Sequence, residues 1–325
     1  MLTSAVQVRV SPLQKLACLL VALIYATLLC SFPMEGVIDR ANYLEMARVS
    51  PLILARYLGQ GVHSLFANEP VWLAINSVLG LLFDDTVVVR ILVFFSAFVV
   101  SYLLLLNNPK NFFWLLLVLV FPQVMKNFVI HIRQGLAIAV FLLGWFSTGN
   151  KKRLFFIGLS PFIHSSFFII IAILVGGWVL KKLKMAPDVK LLLYFCVSLT
   201  LALLVAQFAA LVGARQATTT AVTAEAASGI GFLFWSAMLV VMLLQGRRFL
   251  HQHTVASGVL IFYLAAYFFT PISGRVFESG VLLVLLALLA TTGWRRIIAL
   301  TILLAFNAAL MLFSYSQPLL GFAEI

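Results

Sequence analysis

The chain is short of charge. Only 10% of its 325 residues are Asp, Glu, Lys or Arg, and ten of them are acidic. A soluble domain carries roughly 25% charged residues, so a water-facing globular protein is excluded. Cysteine is scarce as well. Cys18, Cys30 and Cys196 sit in or beside apolar runs without C-x-x-C spacing, and read as small core hydrophobes rather than disulfide partners or metal ligands. A Walker loop, an HExxH pair and clustered metal ligands are also missing from the sequence. Nucleotide hydrolysis and metalloprotease chemistry are therefore not expected, and neither is a cofactor or a metal. The alternating segments of a membrane barrel are absent too.

Apolar sequence fills the space. Hydrophobic residues make up 63% of the chain, in runs long enough to cross a ~30 Å hydrocarbon core. The fold class is all-α: a polytopic transmembrane helical bundle with about 10–12 membrane segments, forming one integral membrane domain over residues 1–325. Spans are expected near Leu16–Phe32, Pro70–Phe83, Val87–Leu106, Phe112–Phe121, Phe128–Phe146 and Leu154–Ile163. More follow near Phe167–Leu180, Leu191–Val212, Gly231–Leu244, Val255–Thr270, Val276–Ala290 and Ile297–Phe313. Residues 33–69 form the longest stretch between spans, an external loop with short amphipathic surface helices. Gly213–Gly229 is the other sizeable loop.

The net charge of +12 reports topology rather than a nucleic-acid partner. Half of the basic residues fall in four short loops: Lys151–Arg153, Lys181–Lys190, Arg247–Arg248 and Arg295–Arg296. Such clusters mark the cytoplasmic side. Arg9 and Lys15 precede the first span as in an uncleaved signal-anchor, and Leu29 is too large for a lipoprotein site at Cys30. A cytoplasmic N-terminus requires an even number of crossings before Lys151, yet five segments precede it. Either Phe112–Phe121 is re-entrant or the surface stretch Pro51–Phe66 enters the membrane.

Between the basic loops lie the polar residues that can do chemistry. Lys126–Gln134, KNFVIHIRQ, runs into GLAIAVFLLGWF. Read as one helix, it puts Lys126, Asn127, His131, Arg133 and Gln134 on about half of the surface. An arginine at bilayer depth costs on the order of 2.5–3.5 kcal/mol, so it faces a cavity or partner unless it snorkels. His164 follows a Pro161 break and precedes two serines; it either bonds within the bundle or lines a cavity. Glu69-Pro70 is good helix-capping chemistry on its own. Asp39 and Tyr43 share a face if their segment is helical, and so do Glu45 and Arg48. Asp84 and Asp85 read as a solvated turn. Arg275 and Glu278, spaced i, i+3, can neutralise one another. Arg133, His164 and Arg275, with Lys126 and Arg215, fall on the outer side of this topology. An outward cationic cavity suits an anionic lipid headgroup, with a diphosphate as the match for arginine forks.

Several motifs together resemble the EpsG/Wzy-like family of polysaccharide polymerases: VIDRANY after the first span, NEPVW, HIRQGLAIAVFLLG, KKR ahead of an apolar run, FIHSS and SGRVFES. The resemblance covers most of residues 16–290, and the IRQGLA and IHSS pair is its most specific part. It implies a layout like that of membrane glycosyltransferases of the GT-C type. It also implies a glycan carried on undecaprenyl diphosphate, transferred at the periplasmic face of a bacterial inner membrane onto a new lipid-linked repeat unit. On this resemblance Arg133 and Arg275 hold the diphosphate, and His164 assists as hydrogen-bond donor or acid. Asp39 orients or deprotonates the acceptor, and Tyr43, Glu69, His131, Gln134 and Arg215 contact substrate. The bilayer and a chain-length regulator are the expected partners. A ligase, or a flippase or transporter of the same lipid-linked oligosaccharide, would use the same cations; the lack of an internal repeat counts against a transporter.

Overall fold

The computed structural model describes residues 10–211, 229–270 and 272–323. Among these, sixteen α-helices account for nearly all regular structure, and the one β-contact is an isolated bridge between Val37 and Ala323. The protein is an all-α, polytopic membrane protein. Among the described residues, five helices are long and apolar enough to cross a bilayer, a bent pair makes a sixth candidate, and four shorter helices are apolar. The helices group into two compact units. One runs to Ser165 and regains the chain from Ala309; the other is Ser166–Ala308.

In the first unit, α1 (Pro12–Cys30) opens with a capping box: the Ser11 hydroxyl takes the Gln14 N–H, and Gln14 returns a bond to the Ser11 N–H. Its buried residues, Cys18, Ala22, Ala26 and Leu29, form one narrow stripe of i+3 and i+4 steps. That stripe packs on α5 (Asp85–Asn107), about 35 Å long at 1.5 Å per residue. Leu16, Leu20, Ile24 and Leu28 lie outside the stripe and stay exposed, as lipid-facing residues do.

The expected surface stretch contains one long helix and one short one. α2 (Arg40–Gly59) continues through Pro51, which has no N–H to offer the Ala47 carbonyl. α3 (Val62–Ala67) has no buried residue and rests Phe66 on Phe162, ring centroids 5.4 Å apart. α4 (Pro70–Gly80) is only about 16 Å long, half of what a crossing needs. The Phe112–Phe121 stretch yields α6 (Phe112–Leu119), which bends by 70° into α7 (Pro122–Val129). α4 and α6 are thus each too short to cross alone.

KNFVIHIRQ is not one helix. α7 ends at Val129 and α8 (Ile132–Trp145) begins three residues later, so Lys126 and Asn127 belong to a different helix from Arg133 and Gln134. The Ile130 and His131 N–H groups both turn back to the Lys126 carbonyl, which closes α7 and frees the chain to change direction. Gly135 makes the corner tight: a Cβ there would run into the Asn127 carbonyl oxygen. After α9 (Asn150–Leu159) a short 3₁₀ turn at Ser160–Phe162 carries the chain to His164.

The second unit contains α10 (Phe167–Lys182), α11 (Pro187–Leu211), α12 (Ile230–Leu244), α13 (Arg247–Gln252), α14 (Thr254–Ala266) and α15 (Ile272–Leu289). Most of α16 (Gly293–Tyr315) belongs to it too. α14 and α15 are its core, packed closely where a Cβ on Gly280 would meet Val259 at 2.7 Å. Rings fill the rest: Trp235 and Tyr263 flank Phe277, with centroids 4.6 and 4.2 Å away.

Candidate functional site

Glu69 is the hub. It precedes Pro70 at the start of α4 in the left-handed backbone region, φ 56°, and its side chain makes no capping bond to the helix. The carboxylate reaches instead to three groups far away in sequence. Oε2 takes the Arg133 guanidinium at 2.5 Å. Oε1 takes His164 Nδ1 at 2.9 Å and the Ser165 backbone N–H at 2.8 Å. Glu69 is 5% exposed and His164 8%. Burying a charge costs several kcal/mol unless its lone pairs are satisfied, and here both oxygens are. Burial works against the ionised carboxyl. The Arg133 guanidinium and the His164 ring outweigh it, and hold Glu69 below the usual carboxylate range.

Local structure explains why these groups meet. The α7–α8 corner places Arg133 in the first turn of α8, where backbone N–H groups have no helical partners. Tyr43 lies beside Arg133, close enough for the two groups to act on each other electrostatically. Tyr43 is held from the other side by Trp72 of α4, edge-on with centroids 5.8 Å apart. The 3₁₀ turn after α9 then presents His164 and the Ser165 N–H side by side to the same carboxylate. Arg133 keeps part of its guanidinium free of Glu69: its side chain is 30% exposed, and among the described residues its buried Nε has no hydrogen-bond partner.

Six of the residues expected from sequence thus come together: Asp39, Tyr43, Glu69, His131, Arg133 and His164. Asp39 lies close enough to bias Arg133 and Tyr43 electrostatically, and His131 does the same to His164. Asp39 also has a left-handed backbone, φ 61°, and its carboxylate takes the Asn42 amide at 3.3 Å. Gln134 is buried in the first turn of α8. Arg275 belongs to the second unit, exposed at the start of α15. Arg215 lies outside the described residues. Among the described residues, no three His, Cys, Asp or Glu side chains gather as a metal site would require.

Two features escaped the sequence. Asp85 is not solvated: it pairs with Arg48 and is 15% exposed. Arg40, beside Asp39, is 1% exposed, forms no ion pair among the described residues and donates to the Val129 carbonyl at 2.9 Å. That carbonyl ends α7, so Arg40 fastens the corner that aims Arg133. A charge in an Asp-Arg pair after a span reads as solvated, and nothing in the sequence marks it as buried.

No curated protein and no solved structure matches the chain. A family model does, over residues 15–321. Nearly the whole sequence, including every residue of the Glu69 cluster, therefore falls within one family, and its function is of the polysaccharide-polymerase type. The chain belongs to the EpsG family, a Wzy-like polymerase family.

Proposed function

We propose that the protein extends a surface polysaccharide by moving the growing glycan from undecaprenyl diphosphate onto a new lipid-linked repeat unit. The Arg133–Glu69–His164 arrangement carries this reading: a half-open guanidinium fixed beside a buried histidine, in a chain otherwise made of apolar helices. In the transfer, the bond from the anomeric carbon to the diphosphate oxygen breaks and its electron pair stays on the diphosphate. The acceptor hydroxyl oxygen bonds that carbon and gives up its proton. Negative charge grows on the leaving diphosphate, and a preorganised cation in a low-dielectric site stabilises it.

Arg133 is that cation, because Glu69 fixes one edge of its guanidinium and leaves the rest for the ligand. Tyr43, His131, Gln134 and Asp39 contact the glycan or its carrier. The four basic loops set the orientation, with the site opening to the periplasmic side of the inner membrane in a GT-C-like layout. A chain-length regulator is the expected protein partner.

The test is the glycan ladder of cells lacking the gene and complemented at matched membrane levels. Wild type should restore the ladder. Arg133→Ala should collapse it to single repeat units, with extension falling about 10²–10³-fold. A full ladder with Arg133→Ala would remove Arg133 from the site. Loss of all surface glycan on deletion, single units included, would point to flipping or ligation instead.

A further inference from the structure

Among the described residues, the His164 ring has one nitrogen engaged and one without a partner. Nδ1 faces Glu69 Oε1 at 2.9 Å. That carboxylate also takes the Arg133 guanidinium and the Ser165 N–H. Ionised, it is acceptor-only, so Nδ1 carries the hydrogen. A neutral imidazole held this way has its lone pair on Nε2. Among the described residues, Nε2 is buried without a hydrogen-bond partner, although buried polar atoms are generally bonded. An orphaned lone pair beside a diphosphate cation has an obvious complement, an alcohol O–H.

From this geometry we infer that His164 Nε2 is the general base that takes the proton of the acceptor hydroxyl, with Glu69 as the positioning residue behind it. The inference rests on the polymerase reading and reassigns the proton transfer from Asp39 to His164. The acceptor O–H proton moves to Nε2 as the oxygen bonds the anomeric carbon and the diphosphate leaves with its electron pair. Glu69 then faces an imidazolium, and the proton passes on to solvent or to the departing diphosphate. Asp39 is less suited: it is half-exposed and its carboxylate is engaged by Asn42.

The surroundings favour the neutral ring a base requires. Three ionisable groups face His164: Glu69, Arg133 and His131. His164 lies in the turn between α9 and α10, outside the spanning helices. Burial lowers its pKa below the ordinary histidine value. Glu69 pulls the other way, while Arg133 and His131 add to the lowering. A base of lowered pKa stays competent to a more acidic pH than a free histidine would and fails below that. The Nε2 contact itself forms only with the acceptor bound, as catalytic hydrogen bonds commonly do.

Membranes carrying the full-length chain are mixed with the lipid-linked repeat unit extracted from cells lacking the gene. Extension is followed at saturating repeat unit from about pH 5 to 8. Wild type should lose rate towards acid along a single protonation, and His131→Asn should keep that limb. His164→Gln should lower kcat about 10²–10⁴-fold with KM little changed. Glu69→Gln, which presents an amide to Nδ1 and turns the ring to its other tautomer, should lower kcat similarly. Asp39→Asn should lose less than about tenfold and keep the acid limb. A wild-type rate that is flat or rises towards acid would overturn the inference and make His164 a cationic donor, leaving the polymerase reading intact. So would a limb that disappears with Asp39→Asn. A flat or rising wild-type profile overturns the inference even where a variant fails to fold. No extension by wild type would instead sink the polymerase reading, and the inference with it.

Discussion

Arg133–Glu69 and Arg247–Asp188 are ion pairs of nearly equal length, 2.5 and 2.6 Å, in unlike surroundings. The side chains of the second are 76% and 54% exposed; those of the first are 30% and 6%. Distance alone says nothing of what a pair contributes. In water the attraction is offset by hydration and side-chain entropy, and exposed pairs contribute about 0–1 kcal/mol. Away from water each ion depends on its partner, and removing one leaves the other stranded. The Glu69 cluster adds two hydrogen bonds from His164 and Ser165 to the same carboxylate. It therefore ties the starts of α4 and α8 and the α9–α10 turn into one unit.

The sharpest way to break this contrast is Glu69→Ala. It strands Arg133 and His164, and stability should fall by about 3–5 kcal/mol, read as a drop in thermal midpoint of the detergent-solubilised protein. The glycan ladder should vanish with it. An unchanged midpoint would mean the pair is as dispensable as the exposed one.

Gly135→Ala leaves every charge in place and spoils only the corner. Its Cβ meets the Asn127 carbonyl oxygen, so a loss of about 1–3 kcal/mol from overpacking is expected. Comparing its extension rate with that of wild type, at a temperature where both are folded, isolates the corner's part in aiming Arg133.

Arg40→Met separates stability from positioning. The variant loses one charged hydrogen bond but no longer buries an unpaired cation, so its midpoint should shift by no more than about 1 kcal/mol equivalent. Extension should nonetheless fall about ten- to a hundredfold, because Val129 is released and the first turn of α8 drifts. Full activity would show that the corner holds without its clamp.

The smallest effect belongs to the exposed pair. Asp188→Ala and Arg247→Ala should each change stability by less than about 0.5 kcal/mol and leave the ladder at full length. A shortened ladder from either would give that pair a role its exposure does not suggest.

The helical class was legible because uninterrupted apolar runs have few other solutions. So was most of the cluster: Asp39, Tyr43, Arg133 and His164 stand out as polar residues at or beside spans. The centre of the cluster was harder to read. Glu69-Pro70 already makes sense as helix capping, and nothing local says that the carboxylate turns away from its helix. The partners lie 64 and 95 residues along the chain, too far for spacing arguments to reach. The break at Ile130 was hidden for the opposite reason. KNFVIHIRQ has no proline or glycine at the corner, and it is Gly135, inside α8, that lets the two helices approach.

Asp39 and Glu69 share a backbone strain, both acids at positive φ ahead of a helix, where non-glycine residues cost on the order of 1–3 kcal/mol. Their side chains make that shared strain unequal. Glycine or asparagine at position 39 relaxes the chain and gives up a carboxylate at the protein surface. At position 69 the same relief unravels the buried cluster. A library randomised at both positions and selected for surface glycan should thus fill position 39 with Gly and Asn while position 69 stays Glu. The tolerated alphabet at two equally strained sites would name the acid this protein cannot do without.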